Sequence, residues 1–404
     1  MSTKCGVGYS EQANSHEAAV AAAKEALEKA GVEKPTMVLF YTTSKHNPEQ
    51  TAAGIRSVIG TEAKLIGGSS VGVITNDKLG YEGYQTGVAV LYNPQMDVDV
   101  FIQPDLNLDE HTAGEELAKE IQSKAYAGDP QVLLMYDSIK IAGKELNLAT
   151  PMIAGMKSQM ASWPSIAGVG VFADMQWTEP FLWRDDEKFT QAAMALVLSN
   201  KVRMDQVIIH GCVPVGDYHT ITKTDGNVVL EIDNQPATDA IAQMLGAGSD
   251  KTWEDYPLFV TLGVNRGDKW DDYDPKMYTN RLTLSVDKER KGLVMFENDL
   301  QAGMEFQLMR RDVEDFSYMR GVVEEFMTEV KKEAKPFFAL YIDCAGRASR
   351  YCGSDQEEAA ELQAILGDSI PLLGMFSGVE LAVIQGELRP LDWTGVLCVF
   401  SDVS

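Results

Sequence analysis

A pattern of strands and helices occurs three times along the chain and constrains the fold more than any other feature. Each copy has an apolar strand, a helical stretch, a second strand with a central glycine, a polar excursion and a third strand. The second strands are KLIGGSSVGVI (64–74), SIAGVGVFADM (165–175) and IPLLGMFSGVEL (370–381). Because strands alternate with helices, the pattern predicts a mixed α/β fold of repeated β-α-β-β units with mixed sheets.

The region between the second and third copies has a different texture. Residues 206–310 show period-two strands, with a hairpin signal at Asp225-Gly226. Residues 312–404 return to the α/β pattern. We therefore expect two modules, 1–203 and 204–404, the second of which begins with a β-rich insert.

Local signals predict where several helices begin and end. Asn14 is a candidate N-cap, and Gly31 suits the residue after the helix end. Ser354-x-x-Glu357 reads as a capping box at the start of another helix.

The charge of the chain excludes two classes of partner. With 35 basic and 60 acidic residues the formal net charge is −25, which disfavours nucleic acid and anionic membranes. The five cysteines are scattered, as in proteins of a reducing compartment. No secretory signal and no apolar run long enough to span a membrane is evident. We expect a cytoplasmic protein without membrane insertion.

The segment Gly68-Ser69-Ser70-Val71-Gly72 matches the G-x-S-x-G nucleophile elbow of serine hydrolases. That elbow needs a helix directly after the serine, whereas the next residues here read as turns. We expect no catalytic residue and no enzyme. A hydrolase with Ser70 or Cys344 as nucleophile is a further alternative.

Charged residues follow the first strand of the third copy. Asp343, Cys344 and Arg347 lie at that strand end, and arginine is the usual partner of a carboxylate or phosphate. The arrangement predicts contact with an anionic ligand. The alternatives are an ion pair, such as Arg347 with Glu380, and a Cys344 thiol whose pKa the arginines lower.

Isolated histidines give little indication of a metal centre. His46 follows a strand end and His210 lies in an apolar run, without an H-x-x-H cluster. Such residues are usually structural or solvated, so we expect no metal.

Four segments together resemble the FIST family of sensory proteins. The N-terminal FIST module looks like 37–200 and the C-terminal module looks like 210–400. The segments are LIGGSSVGVI (65–74), HGCVPVGDYHTITKTDGNVVLEIDNQPATDAI (210–241), DCAGRASRYCG (343–353) and PLLGMFSGVELAVI (371–384).

The resemblance implies a stand-alone intracellular sensor of a small, amino-acid-like ligand. It would signal through a separate protein, such as a histidine kinase or a chemoreceptor component. Family members often carry a His-Asn pair where this chain has Leu391-Asp392-Trp393. We expect no cofactor, and a haem- or metal-dependent sensor of the nitric oxide type is the alternative.

Ligands of α/β proteins collect at strand ends, and this principle selects the candidate binding residues. Backbone amides near Gly67 and Gly68 would bind a carboxylate, with Arg347 as the counter-charge. The full predicted set is Thr42, Thr43, Gly67, Gly68, Ser69, Ser70, Asp343, Cys344, Arg347, Ser377 and Glu380.

Overall fold

Three α/β units with the same element order form the body of the protein, and a β-rich insert interrupts the third. The structure is a computed structural model that describes residues 2–246, 256 and 260–403. It confirms the predicted α/β fold of repeated units with mixed sheets. The division into 1–203 and 204–404 stays a prediction.

The first two units are continuous in sequence. The first comprises β1 (Lys4–Ser10), α1 (Ser15–Ala30), β2 (Met37–Thr42), α2 (Pro48–Ile59), β3 (Lys64–Ser69), β4 (Gly72–Thr75), β5 (Leu79–Tyr81) and β6 (Thr86–Tyr92). The second comprises β7 (Asp97–Gln103), α3 (Glu110–Gln122), β8 (Gln131–Asp137), β9 (Ile139–Ile141), β10 (Glu145–Leu146), α4 (Ala149–Gln159), β11 (Ser165–Val171), β12 (Leu182–Arg184), β13 (Glu187–Phe189) and β14 (Ala193–Ser199).

The third unit surrounds the insert in sequence. It begins with β15 (Val202–Ile209). The insert comprises β16 (Cys212–Asp225), β17 (Val228–Ile232), β18 (Gln235–Pro236), α5 (Ala237–Leu245), β19 (Thr261–Asn265), the 3-10 turn Pro275–Met277, β20 (Tyr278–Asp287), β21 (Gly292–Met295) and β22 (Glu305–Arg311). The unit then continues with α6 (Ser317–Glu333), β23 (Lys335–Cys344), the 3-10 turn Ala345–Arg347, α7 (Ser349–Cys352), α8 (Glu358–Leu366), β24 (Leu372–Ser377), β25 (Val379–Ile384), β26 (Glu387–Leu391) and β27 (Gly395–Asp402).

Each six-stranded sheet of the body is completed by a hairpin from another unit. The hairpin β12–β13 of the second unit extends the sheet of the first through β3. The hairpin β25–β26 of the third unit extends the second sheet through β11, and β4–β5 of the first extends the third through β24. The exchange is cyclic, so every unit gives one hairpin and receives one.

The three sheets share a single apolar core. In β2, Met37, Leu39 and Tyr41 face this common core, while Val38 and Phe40 face helices α1 and α2. Alternate residues of a strand point to opposite faces, so a strand covered on both sides is apolar throughout. The same division into a shared inner core and an outer helix pair recurs in the other two units.

Central glycines occupy the same place in the three units, as the sequence predicts. Gly67, Gly168 and Gly374 pair in parallel with Phe40, Leu134 and Tyr341 respectively. A Cβ on Gly67 would lie 2.3 Å from the carbonyl oxygen of Phe40. A larger residue there would therefore push the two strands apart.

The predicted ends of α1 are correct, whereas the predicted start of α8 is wrong. The Asn14 side chain accepts a 3.0 Å hydrogen bond from the amide of Glu17, and Gly31 is left-handed with φ 61°. Helix α8 instead begins at Glu358 without a side-chain cap. The proposed capping box fails because the Glu357 carboxylate accepts hydrogen bonds from the Ser349 amide and hydroxyl.

The insert forms a sheet that closes on itself, because β16 pairs with β22 along its first half and with β17 along its second. The β16–β17 connection confirms the predicted hairpin at Asp225-Gly226. The insert is joined to the body by buried polar contacts. Glu297 accepts hydrogen bonds from the amides of Ala149 (2.9 Å) and Thr150 (3.0 Å) at the start of α4.

Among the residues that the structure describes, the helices all fall short of the length and apolar character needed to span a bilayer.

Candidate functional site

Most predicted residues of the first unit are buried and have partners inside the protein. The Thr42 hydroxyl lies 2.9 Å from a threonine hydroxyl on β6. Ser69 accepts a 3.0 Å hydrogen bond from a backbone amide of the segment leading into β12. Gly67 and Gly68 lie in β3, where the same β12 strand pairs with them. Ser69, Gly67 and Gly68 thus contact the exchanged hairpin, whereas Thr42 bonds within its own unit.

Ser70 lies at the crossing from the first unit to the third. Its hydroxyl is fully buried and lies within hydrogen-bond distance of the carbonyl oxygens of Gly72 and Phe376, the latter at 3.2 Å. Strand β4 follows it, where a nucleophile elbow needs a helix. The local structure therefore lacks the elbow that would present Ser70 as a nucleophile.

Thr43 reaches a small cleft where loops of all three units meet. The cleft has a volume of about 270 Å³, and its lining includes Thr43, Ser44, Val71, Asp174 and Tyr351. The Thr43 hydroxyl donates a 2.6 Å hydrogen bond to a loop carbonyl of the first unit. Of the eleven predicted binding residues, Thr43 is the one in its lining.

The predicted residues of the third unit form a buried charge network around Arg347. Its Nε lies 2.8 Å from Asp343 Oδ1, its Nη2 lies 2.6 Å from Glu358 Oε1, and its Nη1 donates to the Trp393 carbonyl. Burial lowers the pKa of Arg347, but Asp343 and the other groups around it together outweigh burial and raise this pKa. The ion-pair alternative is thus correct, with Asp343 and Glu358 as partners.

Glu380, the ion-pair partner that the sequence suggests for Arg347, contacts Ser377 instead. The Ser377 hydroxyl lies 2.7 Å from Glu380 Oε1 and 2.9 Å from the Asp343 carbonyl oxygen. Burial, and then the charge of Glu380, raises the pKa of the Cys344 thiol well above its usual value. The expectation that arginines lower this pKa is therefore wrong, because desolvation opposes the thiolate more strongly.

A larger cleft lies between the insert and the third unit. Its volume is about 670 Å³, in the range of small-molecule sites. Its walls are mainly apolar, with polar groups concentrated near β22 and α7. The lining includes Val215, Met244, Leu245, Val260, Leu282, Leu308, Met309, Val313 and Trp393, with Arg310, Arg311, Arg350, Tyr351 and Cys352.

Arg311 is the charged residue that lines this cleft and is also buried. Its side chain is fully buried, it forms an ion pair with Glu358, and its guanidinium centre lies 5.5 Å from the Trp393 ring centroid. Its Nε and Nη1 have no hydrogen-bond partner among the described residues. Burial and the charge of Arg347 lower the pKa of Arg311 to about 10. An anion placed against these two nitrogens would stabilise the cation.

Sequence reasoning did not single out Arg311, although one signal was present. Arg310 and Arg311 are consecutive in β22, and consecutive strand residues point to opposite faces. Arg310 is exposed and Arg311 is buried. Two adjacent arginines in a strand therefore indicate that one of them faces the interior.

The histidines are placed away from the larger cleft. His210 is buried, with Nε2 2.9 Å from the Pro275 carbonyl oxygen and Nδ1 accepting from the Cys212 amide. His46 is buried and its Nε2 has no partner among the described residues. Within that part of the chain, no group of three or more His, Cys, Asp or Glu is placed to hold a metal. Neither histidine lines the cleft. The haem alternative stays a prediction.

Comparison with known families identifies the class of protein. The FIST N domain matches residues 36–235, and the FIST C domain matches residues 237–383. Both are sensory domains of signal transduction. The chain belongs to the FIST family.

Relatives with curated sequences are uncharacterized. Two proteins from strains of Mycobacterium tuberculosis are 24% identical over 227 residues, which is 55% of this chain and 57% of theirs. A protein of Methanocaldococcus jannaschii is 24% identical over 157 residues, 37% of this chain and 29% of its own. The chain thus spans little more than half the length of the mycobacterial relatives.

Two solved structures align with nearly the whole chain at low similarity. A chorismatase has a TM-score of 0.35 and 8% identity, with 99% of each chain covered. A cyanuric acid hydrolase from A. caulinodans has a TM-score of 0.34 and 10% identity, with 100% of each covered. At these TM-scores the likenesses carry no argument about function.

Proposed function

We propose that this protein senses a small organic anion, such as an amino acid or another carboxylate with an apolar body, in the cleft between the insert and the third unit. The observation that carries the proposal is Arg311, which is buried at the cleft with two nitrogens that lack partners. Unpaired buried donors are unfavourable, so a ligand that accepts hydrogen bonds from them gains affinity.

The cleft matches such a ligand at both ends. Nη2 of Arg311 faces Glu358. Nη1 lies on the Cδ side of the guanidinium, whereas the Nε hydrogen points to the Nη2 side, so Nε and Nη1 would donate two separate hydrogen bonds to the ligand. Leu308, Met309 and Leu282 offer apolar surface to the rest of the ligand. The ligand class therefore combines a carboxylate head with an aliphatic or aromatic tail.

Arg347 contacts the same carboxylate as Arg311 and thereby helps to position it. It does not line the cleft, but it shares the Glu358 carboxylate with Arg311. Asp343 balances the second positive charge. In this proposal Asp343 and Arg347 position the Arg311–Glu358 pair and do not touch the ligand.

Signalling follows from where the cleft lies. A ligand bound there would contact both the insert and the third unit, so it would favour the arrangement of the two that fits it best. A separate protein, such as a histidine kinase or a chemoreceptor component, would read this arrangement.

Thermal unfolding with matched ligand pairs tests the proposal. Phenylacetate, hexanoate, leucine and phenylalanine are compared with the corresponding amides, which keep the tail and lose the negative charge. A carboxylate at 100 times its Kd should stabilise the protein by about 2.7 kcal/mol, and its amide should not. Arg311→Lys should abolish the effect, while Arg290→Lys, an exposed arginine of the insert, should retain it.

Equal melting temperatures with and without every carboxylate would contradict the proposal. So would a carboxylate whose stabilising effect is unchanged in Arg311→Lys. Lysine keeps the charge beside Glu358 but has a single nitrogen, so the variant removes the separate donors Nε and Nη1 without removing the cation.

A further inference from the structure

Cys352 lies in the same cleft as Arg311. It ends the short helix α7, is partly exposed, and is part of the lining. Its Sγ lies 3.4 Å from the carbonyl oxygen of Arg347 and 3.8 Å from that of Ser349. A ligand in the cleft therefore meets a free thiol as well as a guanidinium.

The other four cysteines differ from Cys352 in their surroundings. Burial raises the pKa of Cys212 to about 11 and that of Cys398 to about 12, and it also raises the pKa of Cys5 and Cys344. None of the four belongs to the described lining of the cleft. They serve as internal controls for thiol chemistry at Cys352.

Arg311 supplies an independent reason to expect a ligand at this thiol. Its Nε and Nη1 lack partners, as described above. Arg311 and Cys352 both line this cleft.

We propose that Cys352 is a covalent modification site for electrophiles that carry a carboxylate, in particular α,β-unsaturated carboxylic acids and related conjugate acceptors. The inference rests on the proposed function, because Arg311 holds the carboxylate while the thiol reacts. Sensing at this site then includes a covalent step.

The step is a conjugate addition. Cys352 loses its proton to solvent, and the thiolate forms a new S–C bond to the β-carbon of the acceptor. The π electrons of the double bond move to the α-carbon, which takes a proton from solvent. The thiol is added across the double bond, so no oxidant or reductant takes part.

Two maleimides of matched reactivity test the inference. N-ethylmaleimide is neutral, and 4-maleimidobutyric acid adds a carboxylate. We measure the rate at which each labels Cys352 in the full chain, by peptide mass spectrometry, and divide it by the rate with free glutathione. The acid should gain about tenfold over the neutral reagent, and Arg311→Lys should remove this preference while Arg290→Lys keeps it. Cys352→Ser should show no adduct in the cleft.

Protection provides a second measurement in the wild-type protein. Excess phenylacetate should slow labelling of Cys352 by the acid, because both use Arg311. If phenylacetate stabilises the protein through Arg311 but Cys352 stays unlabelled, or is labelled without preference for the acid, the covalent inference is overturned and the proposed function stands. If Cys352 is labelled without preference and no carboxylate stabilises the protein, both are overturned.

Discussion

The strand ends of the first and third units occupy the same place in the repeat but differ in chemistry. The strand register makes Thr42 of the first unit equivalent to Asp343 of the third, and Ser70 equivalent to Ser377. The first-unit groups contact backbone carbonyls and another hydroxyl, whereas the third-unit groups contact buried charges. The repeat therefore fixes the backbone and leaves the side-chain chemistry of each strand end free to change. The buried charged residues Asp343, Arg347 and Glu358 belong to the third unit, which borders the insert.

The largest expected difference between the two strand ends comes from Arg347→Met. The change leaves Asp343 and Glu358 as buried carboxylates with one cation fewer, and breaking such a pair costs about 3–5 kcal/mol. Thr42→Val at the first strand end removes one hydroxyl and should cost about 1 kcal/mol. Urea unfolding of both variants measures the difference, and similar losses would show that the charge network contributes nothing special.

The second unit adds a titrating group to the comparison. Asp137 lies where the first and third units have Thr43 and Cys344, since the amide of each donates to the carbonyl of the residue directly before the last strand of its unit. Burial raises the pKa of Asp137 to about 7. The folded state therefore holds a proton that the unfolded state releases near pH 4, so this contribution to stability is present below about pH 4 and lost as the pH rises through 7.

Asp137→Asn should flatten the pH dependence of unfolding between pH 5 and 7. The slope of stability against pH should change by up to about 1.4 kcal/mol per pH unit. Urea titrations at intervals of half a pH unit, with wild type alongside, measure this slope. Parallel curves for the two proteins would mean that Asp137 titrates at its ordinary pKa.

The smallest expected difference separates the two matched serines. Ser377→Ala removes the neighbour of Glu380, whose other oxygen has no partner among the described residues. This change should cost about 2 kcal/mol. Ser70→Ala removes a hydroxyl that contacts only backbone groups, two carbonyl oxygens and the Gly72 amide, and should cost about 1 kcal/mol. Chemical denaturation would resolve the gap, and a larger loss for Ser70→Ala would reverse the assignment.

Much of the fold could be predicted from local patterns. The glycines Gly67, Gly168 and Gly374 mark equivalent strands because close backbone packing leaves no room for a side chain. The exchanged hairpins could not be predicted. The residue pattern of a strand such as β4 is the same whichever sheet the strand joins. Its partner here is β24, which lies some three hundred residues further along the chain.

The candidate site was less predictable than the fold. Asp343 and Arg347 come together because they are four residues apart at one strand end. Arg311 joins them only through the pairing of β22 with β16 and the packing of the insert on the third unit. The sequence near Arg311 does not indicate this long-range contact, so the predicted set of binding residues does not include Arg311.

The cyclic exchange of hairpins sets the order in which the protein can fold during synthesis. The first sheet waits for residues 182–189, the second for residues 379–391, and the third for its own last strand at 395–402. Until the ribosome has released these segments, β3 and β11 present open edges that other chains can pair with. Such long-range pairing predicts slow folding and a need for protection of nascent chains.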